Sequence, residues 1–185
     1  MTVSSFEPNT PAVKSDSGIV TRLGLRFGVG VGMLCAAWMV GLQLTGNNGF
    51  GPKQIMAQLL VPLAAVASEW VLRRKLQPDK PGLGRSLGVG ALTALLAALV
   101  SAGSVVGLAY AAGEPALARQ RAEVMEIVRA QQHENAKVVV SAQQQREQIQ
   151  RVENMTVGDM ATSNFLQVLV LGLVLAVPAG IFLRE

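Results

Sequence analysis

Residues 87–112 read LGVGALTALLAALVSAGSVVGLAYAA, and no side chain among them is charged. The hydrocarbon layer of a bilayer is about 30 Å thick, so a helix that crosses it needs about 20 mostly apolar residues. A helix is required because every backbone N–H and C=O must find its partner inside the segment. The stretch from Leu87 to Ala112 meets both conditions and sets the standard for the rest of the chain. Uncharged runs at 27–52, 54–68 and 160–183 lie on either side of it. Two of them give further spans, Phe27 to Thr45 and Asn164 to Leu183. The third gives a weaker candidate, Ile55 to Leu72, which carries Pro62 in its middle and Glu69 near its end; its alternative is a re-entrant or interfacial segment.

Composition agrees. Of 185 residues 50% are hydrophobic and 15% charged, with a mean hydropathy of +0.38, which excludes a disordered chain and argues against a soluble globule. The net charge of +4 is spread around the apolar runs, a topogenic pattern and not a nucleic-acid patch. One cysteine, Cys35, forbids an intramolecular disulfide, and with the lone His133 it leaves no soft-ligand zinc set. No metal, no cofactor and no nucleic-acid partner is expected. Arg22 and Arg26 precede the first run as in a signal peptide, but the run is too long and no Ala-x-Ala site follows it, so it stays as a span.

Orientation follows from Lys and Arg in the short loops. Lys14, Arg22 and Arg26 precede the first span, Arg73, Arg74, Lys75, Lys80 and Arg85 fill the turn between the second and third, and Arg184 follows the last span. The opposite side has Lys53 and a long mixed-charge insert. Both termini are therefore expected in the cytoplasm, which needs an even number of spans and favours counting the weak one. The expected architecture is an all-α integral membrane protein. Residues 1–20 form a disordered cytoplasmic tail, 21–113 the first three transmembrane helices, 114–159 an exoplasmic helical insert, and 160–185 the fourth transmembrane helix and a short cytoplasmic end.

The insert is rich in Gln, Glu, Arg and Ala. No Gly or Pro falls between Ala116 and Val157; Pro115 suits a first helical turn and Gly158 stands where a helix would end. Leu117, Val124, Val128, Val138, Ala142, Ile149 and Val152 recur at helical spacing, although Arg121, Gln131, Asn135 and Gln145 interrupt the stripe. One unbroken helix would reach roughly 60 Å and need a partner to cover its valines. A break near His133 to Asn135 would let two shorter helices fold back and cover one another. A protruding, oligomeric coiled coil is the alternative.

Glu69 is the one ionisable side chain inside a proposed span, which makes it a functional candidate. Arg73 lies four residues on, so a boundary ion pair that snorkels to water is the first reading and a proton or cation site the second. Small residues recur every four positions at Gly24, Gly28 and Gly32, at Gly84 and Gly88, at Gly103 and Gly107, and at Gly172, Ala176 and Gly180. Such spacing allows close helix packing within the chain or with a second copy. Pro62 and Pro178 should kink their spans one turn earlier. Arg73, Arg74, Lys75 and Arg85 could attract anionic lipid headgroups. No Ser-His-Asp grouping and no pair of intramembrane carboxylates offers catalytic machinery, so an enzyme is not expected.

The second span ends in the basic cluster Arg73 to Lys75. A short polar turn follows, then Gly82-Leu83-Gly84-Arg85-Ser86-Leu87-Gly88-Val89-Gly90 leading into the third span, the long polar insert, and a last span ending in Arg184. In these features residues 20–185 resemble a bacterial family of small integral membrane proteins known as a domain of unknown function, number forty-one ninety-nine. The resemblance implies four spans in the bacterial inner membrane and carries over no functional residues. Alanine and glutamine richness and spans nearly free of Tyr, with Tyr110 alone, depart from that family. The function expected first is a noncatalytic accessory or scaffolding role, with residues 114–159 meeting a second copy or another membrane protein. Its alternatives are a small transporter or channel subunit using Glu69, and a lipid-binding protein at the basic turn.

Overall fold

A computed structural model describes residues 16–78, 81–134 and 142–183. Most of the proposed tail, together with Lys80, Asn135, Val138 and Arg184, lies outside the described residues. The elements are α1 (Asp16–Leu44), a single 3-10 turn (Pro52–Gln54), α2 (Ile55–Gln58), α3 (Leu60–Leu76), α4 (Gly82–Glu134), α5 (Ala142–Glu153) and α6 (Val157–Phe182). No strand occurs among the described residues. Four helical stretches are long and apolar enough to cross a membrane, at 18–44, 52–76, 82–133 and 157–182. The weak second candidate is therefore a full-length span, and the protein is a multi-pass membrane protein.

Helix α1 begins at Asp16, inside the stretch expected to be a disordered tail and well before Phe27. The reason is packing: Ile19, Val20 and Leu23 join Leu72 and Val89 in a cluster at that end of the bundle, so the helix extends ahead of the apolar run that begins at Phe27. The second span is composite. Pro62 has no N–H to offer the Gln58 carbonyl, and the helix breaks at Leu59 between α2 and α3, where the kink was expected. Helix α6 runs through Pro178 without such a break.

Side-chain neighbours fix the directions of the helices. Gly24, Gly28 and Gly32 of α1 meet Leu92, Leu96 and Val100 of α4 in the same order, so these two helices run parallel. Gly172 and Gly180 of α6 meet Ala94 and Leu87 of α4 in reverse order, so α6 is antiparallel to α4. Along the second span, Gln58 of α2 reaches the Asn164–Ser101 pair and Ser68 of α3 meets Thr93, which makes this span antiparallel to α4 as well. The bundle is up-down-up-down, with Gly18, Gln77 and Leu183 at one end and the 45–51 turn and the described parts of the insert at the other.

Helix α4 is the centre, touching α1, α3 and α6. Its inward face is small or hydroxylated: Ser86, Val89, Thr93, Ala94, Ala97, Ala98, Ser101 and Val105 are all buried. Large apolar side chains point outward instead, among them Met33, Leu63, Leu99, Leu166 and Val170. That inversion suits lipid as solvent, because hydrocarbon rewards close backbone packing inside and tolerates Leu outside.

Two glycines need their positive φ. Gly46 (φ +76°) closes α1: Gly46 N–H donates to the Gln43 carbonyl at 3.2 Å and Asn47 N–H to the Leu42 carbonyl at 2.9 Å, the pair of bonds that satisfies a helix C-terminus around a left-handed residue. Gly113 (φ +70°, ψ −173°) interrupts α4, separating the third span from an arm that continues to Glu134 with Pro115 in its first turn.

The insert folds back. Helix α4 stops at Glu134 and α5 returns along it, with Gln132 Nε2 3.4 Å from Gln148 Oε1. Val152 becomes buried in the process. Arg121 holds the base of this hairpin, donating through Nε to the Met155 carbonyl at 3.2 Å and through a terminal nitrogen to Glu114 at 2.8 Å. The alternative of one protruding helix is thereby excluded. Gly158 does not end a helix as expected; it lies in the first turn of α6. There Thr156 Oγ1 accepts the Asp159 N–H at 3.2 Å and Asp159 accepts the Thr156 N–H at 2.9 Å. This reciprocal cap starts a helix at the position where a stop was read.

Candidate functional site

The inward face of α3 carries Val61, Ala65, Ser68, Glu69 and Leu72, all buried. Glu69 belongs to that face because Leu72, three residues on, and Ala65, four residues back, lie on the same side of the helix. Trp70 turns the other way and is exposed, with the Arg74 guanidinium 4.1 Å from its ring centroid, a cation stacked on an aromatic face.

Opposite Glu69 stands Gly90 of α4. A Cβ at Gly90 would collide with the Glu69 carboxylate, and Ala176 of α6 closes in at 3.1 Å from the same point. The carboxylate thus fills a niche cut by a missing side chain at the junction of three helices. Glu69 is 0% exposed, and neither of its oxygens has a hydrogen-bond partner. The ion pair with Arg73 expected at this spacing does not form: among the described residues Glu69 makes no salt bridge. The i,i+4 rule describes two side chains on a solvated helix surface, whereas Glu69 lies under the surface and Arg73 beside it.

Ser86, one turn before Gly90 on α4, is also 0% exposed with an unpartnered hydroxyl. Ser68 donates to the Ala65 carbonyl at 2.6 Å, and Thr93 Oγ1 lies 3.0 Å from Ser68 Oγ. Gly90 is eight residues from the start of α4, so the niche lies roughly 12 Å inside that end of the bundle. Neither Ser68, Ser86 nor Thr93 was singled out in the sequence. Their signal was available as isolated hydroxyl residues on the Gly-Ala face of an apolar helix.

A second polar layer crosses the bundle nearer the insert. Gln58 donates to Asn164 Oδ1 at 2.8 Å, and Asn164 donates to Ser101 Oγ at 2.8 Å, all three being buried. Between the two layers lie Val61, Ala65, Ala97, Ala98 and Val168, with no polar side chain exposed to one another across the gap. Further out, Asn48 donates to Gln120 at 2.7 Å and to Glu123 at 2.8 Å, pinning the α4 arm to the 45–51 turn.

The remaining sequence candidates are distributed as follows. Gly28 and Gly32 face α4 so closely that a Cβ would meet Leu96 and Val100 at 2.7 Å. Gly103 and Gly107 instead face open space and take no part in packing within the described chain, because α4 turns them away from its three neighbours. The same is true of Gly84 and Gly88. Arg73, Arg74, Lys75 and Arg85 lie at the α3 and α4 ends nearest the Leu23, Leu72 and Val89 cluster, whereas the pairing of Gly24 with Leu92 and Gly28 with Leu96 sets Arg22 and Arg26 deeper, level with about Gly90 and Ala94. Cys35 is buried among Val31, Ala57 and Val61 as a small apolar side chain. No group of three or more potential metal ligands exists among the described residues.

The family model described as a protein of unknown function (DUF4199) matches residues 26–185. No curated protein and no solved structure gives a match.

Proposed function

This chain belongs to the DUF4199 family, and from that premise we propose a small proton-coupled transporter or channel subunit of the bacterial inner membrane, noncatalytic, with Glu69 as its proton-binding group. One observation carries the reading: a carboxylate that is fully enclosed and has no hydrogen-bond partner, at a three-helix junction. An ionised carboxylate enclosed in protein without a partner costs on the order of several kcal/mol. The niche therefore accommodates the side chain only with a proton or another cation on it, and the cavity left by Gly90 is too tight for a hydrated metal ion. Ser86 lies on the side of the nearer bundle end and gives the proton its first hydroxyl relay.

With Arg73, Arg74, Lys75 and Arg85 at one end, and Arg22 and Arg26 in the same half of the bundle, that end is cytoplasmic, both termini with it, and the hairpin at 114–153 is exoplasmic. An accessory role through residues 114–159 is the second reading. It is weakened by α5, which returns along α4 and buries Val152, leaving Val124, Val128 and Ile149 half-covered within the chain. The basic residues of the turn then serve orientation and headgroup anchoring.

The test is proton uptake by proteoliposomes containing a trapped pH dye, with acid applied outside. Wild type should acidify the lumen, Glu69→Gln should abolish the uptake while eluting as a folded protein, and Glu69→Asp should retain part of it. Uptake by Glu69→Gln equal to wild type removes the proposal.

A further inference from the structure

A cavity of about 900 Å³ lies beneath the hairpin, between α4, the end of α5, the start of α6 and the 50–55 segment. It is at the opposite end of the bundle from Glu69 and shares no residue with that site. Its lower part is set by Val105, Asn164 and Gln167, which belong to the spans, and its upper part by Val124, Ile127 and Arg151, which belong to the hairpin. The enclosure therefore straddles the boundary between the membrane-crossing bundle and the polar layer above it. The hydrogen-bonded Gln58–Asn164–Ser101 chain ties α2, α6 and α4 together at its floor.

The walls change character with height. Val105, Met160, Phe50 and Ile55 supply an apolar lower wall, while Arg151, Asn154 and Asp159 stand at the upper rim. Ile55 is itself exposed, and its flanking neighbours Met56 and Leu59, with Leu166 on α6, are exposed apolar residues of the lipid-facing surface. A molecule of this volume class, apolar below and polar above, and reached from the lipid side, is an amphiphile.

Charge narrows the class. Arg151 is the one basic residue lining the cavity, and no hydrogen bond or ion pair engages it among the described residues. Asp159 is the one acidic lining residue, and its carboxylate is fixed by the Thr156 cap. A phosphate meeting Arg151 through charge-assisted bonds would carry a second negative group toward Asp159 only against repulsion, whereas an ammonium there is attracted. We propose that this cavity holds the head and upper chains of one zwitterionic phospholipid, its phosphate on Arg151 and its ammonium on the Asp159 side. The hairpin is then a roof over a bound lipid, with Arg121 as the tie at its base.

The full-length protein in detergent, supplied with equal amounts of phosphatidylethanolamine and phosphatidylglycerol of matched chains, is read by native mass spectrometry. Wild type should keep one phosphatidylethanolamine per chain, at least about tenfold over phosphatidylglycerol. Arg151→Glu, a change at an exposed side chain, should lose that preference, and Ser163→Trp should obstruct the cavity and weaken retention of the lipid. Both variants should still take up protons through Glu69, so failure here is distinguishable from failure of the transport reading. Equal retention of the two lipids, a preference for phosphatidylglycerol, absence of retained lipid, or retention unchanged in both variants would overturn the assignment.

Discussion

At Gly90 a single methyl group decides whether Glu69 fits. A Cβ there overlaps the carboxylate, whose neighbours on α4 and α6 are already in contact. Gly90→Ala should therefore lower stability by about 1–3 kcal/mol, the usual cost of overpacking a close-packed interior. Gly103→Ala is the matched control. Nothing lies within 4 Å of a Cβ at that position, so relieving a mid-helix glycine should be neutral or stabilise by up to about 1 kcal/mol. Unfolding of both variants in mixed detergent micelles measures the difference; equal effects would mean that the niche is not tightly filled. The presence of Glu69 in a span was legible in the sequence. Its burial was not, because residues 69 and 73 carry the same spacing whether the pair lies on the helix surface or beneath it.

Among elements, the contact of α2, α4 and α6 depends on one amide. Asn164 accepts from Gln58 and donates to Ser101, both at 2.8 Å. Asn164→Leu removes both bonds and leaves two buried polar groups without partners, so a loss of about 1–2 kcal/mol is expected. The same unfolding measurement checks it, and Asn164→Asp or Asn164→Gln should recover part of the loss. The start of α6 shows where reading by element goes astray. Thr156-Val157-Gly158-Asp159 before an apolar run is a helix-starting cap, yet Gly158 taken alone suggests a stop. The fold-back of α5 was legible as one of two outcomes, since an apolar stripe must be covered by something. Which of the two occurs depends on the Arg121 and Gln132 contacts that only the folded hairpin creates.

For the whole molecule, up-down-up-down packing places Gly18 and Leu183 at one end and Lys53 at the other. In a background with Cys35 replaced, Gly18→Cys and Leu183→Cys should react with an impermeant maleimide only from the cytoplasmic face, and Lys53→Cys only from the opposite face. Labelling of positions 18 and 183 from different faces would contradict the topology. By itself the sequence determined that three stretches must be helical and lie in lipid, and left Ile55 to Leu72 with a re-entrant alternative, since length, absence of charge and the need to satisfy every backbone group depend on local composition alone. It also determined which glycine faces were available for close contact. Only the tertiary structure decided which of those faces meet, why Gly24, Gly28 and Gly32 are used while Gly103 and Gly107 are not, and that Glu69 is enclosed. Those outcomes depend on the rotation of each helix about its own axis against three neighbours, a quantity to which residues far apart in the chain contribute together.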